Sequence, residues 1–179
     1  MELWFLMQRL RQNGQKVHRG NNNTDTIVMT QLKALIAKQD QVWWFVGAIL
    51  LVGAIRLGLT LNGVSNAATK FASMSAVIFI ACVYFGSKPQ SFKERLVVSY
   101  LLILPYMLVE VIGLGYTRAS GRPTIFHAPE YSLGSSIDQH FWGHIIGGLT
   151  WEPVCLLVVM LIVRGVVVGI TSLANRRAH

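Results

Sequence analysis

The sequence predicts an all-α, polytopic integral membrane protein: a four-helix bundle with an N-terminal cytoplasmic amphipathic helix and a structured outer loop between helices 3 and 4. Three observations predict it. Of the 179 residues, 53% are hydrophobic and 13% charged, about half the charge a soluble domain carries, which leaves too little polar surface to cover a water-soluble globule. The mean hydropathy is +0.46, and the apolar residues gather into runs of bilayer length instead of spreading at helical or strand period. Lysine and arginine flank those runs, as membrane topology requires.

The chain reads as a cytoplasmic or interfacial segment over residues 1–41 and a four-span domain over 42–175. MELWFLMQRLRQ at the start has the pattern of a short helix lying on the membrane surface. It has no basic stretch ahead of a long apolar one, so it is not read as a signal peptide, and Met29 is an alternative start. HRGNNNTD is a polar break, after which a helix is expected to run from about Thr24 into the membrane. The first span is 42–61, with Trp43 and Trp44 at interfacial depth and Asn62-Gly63 as its turn. The second is 67–85, closed by Gly86-Ser87-Lys88-Pro89. The third is 96–116, with a kink expected at Pro105. The last apolar region, from Phe141 to Leu173, exceeds one straight crossing, and its span is set at 145–170.

Eleven lysines and arginines fall in the N-terminal segment, the connection after the second span, and the tail. Opposite them stand Lys70, Arg118 and Arg122. The imbalance puts both termini in the cytoplasm, and a bacterial inner membrane is the expected location. The net charge of +8 is therefore a topology signal. A nucleic-acid surface would gather its basic residues on one face with stacking aromatics between them, so nucleic acid is not an expected partner. The lipid bilayer is, together with a homo-oligomer or a larger membrane complex. Ala54 and Gly58, and Gly143, Gly147 and Gly148, have the small-residue spacing that lets helices approach closely. Cys82 and Cys155 lack a CxxC neighbour, are assigned to opposite membrane faces and read as small buried hydrophobes.

Charges inside a span cost about 2.5–3.5 kcal/mol each on insertion scales, so each needs a reason. Arg56 and Glu110 lie late in spans that run outward, at similar depth, where an ion pair would offset their desolvation. Fixing helix register is the plainer purpose for such a pair. Arg164 is the one charge expected in the inner half, and it can snorkel to the surface. The charges of FKERL, ahead of the third span, are expected in water.

The connection TRASGRPTIFHAPEYSLGSSIDQHFWGH is long for a link between membrane helices and too apolar for disorder. Ser135 or Ser136 is its expected helix N-cap, with Asp138 in the first turn. His140 and His144 follow at i,i+4 and share a helix face. That spacing suits one metal ion, a haem or a lipid phosphate, although amphipathic histidines hydrogen-bonded to backbone or water have the same pattern. His127, Glu130 and Glu152 are possible further ligands. His127, His140, His144, Arg56, Glu110 and Glu152 thus form the candidate ligand set at the outer leaflet, with His140 and His144 as metal ligands.

No serine nucleophile elbow, Walker loop or dinucleotide fingerprint is present. The residues fit a small membrane binding or accessory subunit whose pocket takes a metal, haem or lipid headgroup. Two other readings remain open: an enzyme using His/Glu acid–base chemistry on a lipid-phase substrate, and a transporter or channel subunit. The last would be marked by a broken helix at mid-depth.

Overall fold

The computed structural model describes residues 27–64, 67–122 and 136–177, and among them every regular element is an α-helix. The chain divides into two compact units, Met1–Lys38 and Gln39–His179. In the first, α1 (Ile27–Ala37) is apolar but short, and it exposes Ile27, Val28 and Met29. The surface helix expected over 1–12 lies outside the described residues.

The second unit holds α2 (Val42–Leu61), α3 (Ala67–Ser87), α4 (Phe92–Ser120), α5 (Ile137–Leu149) and α6 (Trp151–Arg177). Three stretches, Val42–Leu61, Phe92–Ser120 and Trp151–Arg176, are long and apolar enough to cross a membrane. In α3 the apolar part is shorter, Ala72–Ser87. Leu51, Ile55, Phe79, Ile80, Ile162 and Ile170 are all exposed, so the helices are apolar on their outward faces as well as toward each other. A helix that is hydrophobic all round belongs in a core or in lipid.

No single helix leads into the first span. Between Ala37 and Val42 the chain turns, and the Gln39 side-chain carbonyl accepts from the Gln90 amide at 3.0 Å. The Gln41 side-chain carbonyl accepts from the Tyr84 hydroxyl. These bonds tie the start of α2 to the far end of α3, where Phe45, Tyr84 and Phe85 stack with ring centroids 5.1–5.7 Å apart.

Contacts fix the helix directions. Gly53 packs on Val109, and Leu57 on Leu114, so α2 and α4 run parallel. Gly86 meets Val163, and the Arg164 guanidinium donates to the Ser87 carbonyl, so α3 and α6 run parallel too. A short turn reverses the chain between α3 and α4, where a capping box joins Ser91 and Glu94. At Gly53 and Gly86 a Cβ would stand 2.6–2.7 Å from the facing side chain. Close approach is therefore made at these two glycines, while Gly58 and Gly143 face open space. The chain continues helical through Pro105 and ends α4 at Gly121, whose left-handed φ of 64° closes the cap.

The last apolar region departs most from expectation. Instead of one span over 145–170, it is two helices meeting at Thr150. Pro153 supplies the reason: it has no N–H for the Leu149 carbonyl four residues back, and its ring would collide with that carbonyl. The Tyr100 hydroxyl takes the place of the missing amide, donating to the Leu149 oxygen at 3.3 Å. α5 runs antiparallel to the second half of α4, with Phe141 on Leu114 and Gly148 on Met107. α6 takes over beside the first half of α4.

Candidate functional site

The break between α5 and α6 sets the depth of the candidate residues. Glu152 stands in the first turn of α6 and lines a cavity with Ile103 and Tyr106. It is therefore level with the middle of α4, whereas it had been expected near one end of a span. α5 occupies the depth that the sequence reading had assigned to the start of the last span.

The cavity measures about 370 Å³ and lies among α3, α4 and α6. Ile78, Ile103 and Leu156 supply apolar wall, and the exposed Phe79 and Trp151 flank its opening. Cys82 and Cys155 both line it as free thiols. They do not sit at opposite faces, because α6 starts at mid-depth and runs parallel to α3. Burial pattern and volume match a small-molecule site, apolar with few polar groups.

The polar group is Glu152. Its Oε2 is buried without a hydrogen-bond partner among the described residues. Its Oε1 rests where a Cβ of Gly147 would be, 2.7 Å from that position. So Gly147 is the notch that admits the carboxyl, a role that the small-residue spacing alone could not separate from helix packing. Buried Glu110 of α4 lies close enough to Glu152 for the two charges to interact. A carboxyl group buried with one oxygen unpartnered favours a hydrogen-bonding or positive neighbour.

Above the notch on α5 lie His144, one turn away, and His140, one turn further. The helix begins at Ser136, whose side chain accepts from the Gln139 amide while the Gln139 side chain accepts from the Ser136 amide. This is the N-cap that the sequence marks. Asp138 pairs with Arg118 at 2.6 Å, and that guanidinium also lies over the Phe141 ring. Within this frame the two imidazoles bring their Nε2 atoms to 3.2 Å, with ring centroids 4.9 Å apart.

Arg56 is brought within about a turn of Glu110 in depth by the α2–α4 register, but no ion pair joins them among the described residues. His127 and Glu130 lie outside the described residues. Among those described, no group of three or more His, Cys, Asp and Glu is placed to hold a metal ion.

At the other end of α4 is a charge whose role the sequence reading missed. Arg95, expected in water with the rest of FKERL, is only 2% exposed. Its guanidinium donates to the carbonyls of Phe85, Gly86 and Lys88 at 3.0, 3.3 and 2.6 Å. Arg164 reaches the Ser87 carbonyl beside it. The two cations thus add donors to the carbonyls at the end of α3, where those of Phe85 and Lys88 also accept backbone amides, and they complement the negative dipole end of that helix. A signal was present: an arginine in the opening turns of its own helix is unfavourably placed there, which suggests a partner on the helix before it.

No protein-family model, curated protein or solved structure matches the chain.

Proposed function

We propose that this chain is an integral membrane binding protein, and that the cavity headed by Glu152 takes a lipid-phase amphiphile with a cationic or hydrogen-bond-donating head. In this reading it crosses the bilayer four times, through α2, α3, α4 and the broken α5–α6 pair. The alternating helix directions support that count. From Arg95 to Arg118, α4 rises about 35 Å, close to the bilayer hydrocarbon core. The lysine and arginine distribution puts the α3–α4 turn and both termini in the cytoplasm.

The observation that carries the reading is the buried Glu152 oxygen without a partner at the edge of an apolar cavity. A carboxylate in that position favours a ligand that brings a donor or a positive charge, with Glu110 adding to the same potential. The apolar body of the ligand would fill the cavity, and its tail would leave between Phe79 and Trp151 into the bilayer.

The test is a tryptophan-fluorescence titration of detergent-purified protein, first with a long-chain primary amine and then with the carboxylic acid of equal chain length. Saturable binding of the amine, weak binding of the acid, and loss of amine binding in Glu152→Leu are expected. Equal binding of amine and acid, or amine binding unchanged in Glu152→Leu, overturns the assignment.

The broken helix favours a second reading, that of a transporter or channel subunit, because half-helices meeting at mid-depth are a common way to build a transport site. Liposomes carrying the purified protein test it directly: flux of a cationic solute above that of a Glu152→Leu control supports transport, and none leaves a binding protein.

A further inference from the structure

We propose that His140 and His144 form the protein half of a divalent-metal site, selective for zinc-class ions and independent of the Glu152 cavity. Two neutral imidazoles suit zinc, copper(II) and nickel(II) and discriminate against magnesium and calcium, which prefer oxygen. Geometry narrows it further. With Zn–N bonds of about 2.0–2.1 Å, two ligands of a tetrahedral ion stand about 3.3–3.4 Å apart, whereas two at a right angle stand about 2.9 Å apart. At 3.2 Å the two Nε2 atoms are hydrogen-bonded to each other, and that separation lies nearer the tetrahedral value. Both rings project from the same side of one helix, so one ion in place of the shared hydrogen can meet both. They cannot flank a haem iron from opposite faces.

The pair is held in place before any ion arrives. α5 is capped by Ser136, anchored through Phe141 on Leu114, and pinned at its first turn by Asp138 on Arg118. Little ordering entropy is then left for binding. Between the histidines Gly143 carries no side chain, and nothing lies within 4 Å of where its Cβ would stand, which leaves room for ion-bound water.

The experiment is a zinc titration of the full chain in detergent, read by competition with a chromogenic zinc indicator. The variants are His140→Ala, His144→Ala, the double variant and Glu152→Leu. One equivalent of zinc is expected to bind in excess of the double variant. Each single histidine change should weaken it at least tenfold, Glu152→Leu should leave it unchanged, and magnesium should not compete. Zinc should also raise the thermal midpoint of the unaltered protein but not that of the double variant, because an ion that binds only the folded state stabilises it. Zinc uptake equal in the double variant and the unaltered protein, with both folded by circular dichroism, overturns the site. Loss of amine binding in Glu152→Leu with zinc binding intact would separate this site from the cavity.

Discussion

Two regions of α4 treat buried charge in opposite ways. At Arg95 the charge is fully engaged: three carbonyls at the end of α3 converge on one guanidinium, and Arg164 takes a fourth. Beside Glu110, the Glu152 carboxyl keeps one oxygen without a partner among the described residues. Arg95 is as costly to bury as either glutamate, yet it completes the fold around it. Glu152 is held against Gly147 in a position that its own neighbours do not complete. Burial alone therefore does not distinguish a structural charge from a functional one; the state of its hydrogen bonds does.

The sharpest way to break that comparison is to remove both charges. Arg95→Leu should destabilise the detergent-solubilised protein by about 3 kcal/mol or more, because hydrogen bonds to charged groups contribute about 1.5–3 kcal/mol each and three are lost at once. Glu152→Leu should leave stability unchanged or raise it, since an unpaired buried polar group is being replaced by an apolar one. Thermal unfolding of the two variants side by side measures both. Similar losses in the two would show that Glu152 is as structural as Arg95.

A smaller effect sharpens the account of the helix break. Tyr100→Phe removes the donor to the Leu149 carbonyl and should cost about 1 kcal/mol; a thermal midpoint equal to that of the unaltered protein would mean that the carbonyl finds another partner. The least effect is expected at Arg118→Gln. Its ion pair with Asp138 is about half exposed on both sides, and such pairs contribute about 0.2–1 kcal/mol, less in high salt. A loss that persists at high ionic strength would show that stacking over Phe141 carries more of the interaction than charge does.

Hydropathy made much of this architecture legible. The runs 42–61, 67–85 and 96–116 fall on α2, α3 and α4 because an apolar block of that length has few other ways to satisfy its backbone. The Ser136 cap and the shared face of His140 and His144 were readable because both follow from local spacing. The break at Thr150 was harder to see. Pro153 was visible, but a proline near the start of a helix and a proline inside one look alike until the helix start is known. The depth of Glu152 followed from that ambiguity, as did the placement of Cys155. Arg95 was misjudged for a different reason. Its partners are carbonyls of another helix, and carbonyls leave no mark in a side-chain sequence.

The division of the last apolar region also bears on what holds α5 in place. α5 has thirteen residues and includes Asp138, His140 and His144; it is too short and too polar to be retained by lipid as an independent segment. Its place depends on α4, which offers Leu114 and Met107, and on α6, to which it is joined by a single residue. Of the two, α6 alone is long and apolar enough to cross a membrane, so α5 is held by its packing on α4 and its junction to α6. A truncation ahead of α6 would therefore empty the Gly147 notch of Glu152 and loosen the histidine pair without altering a residue of α5.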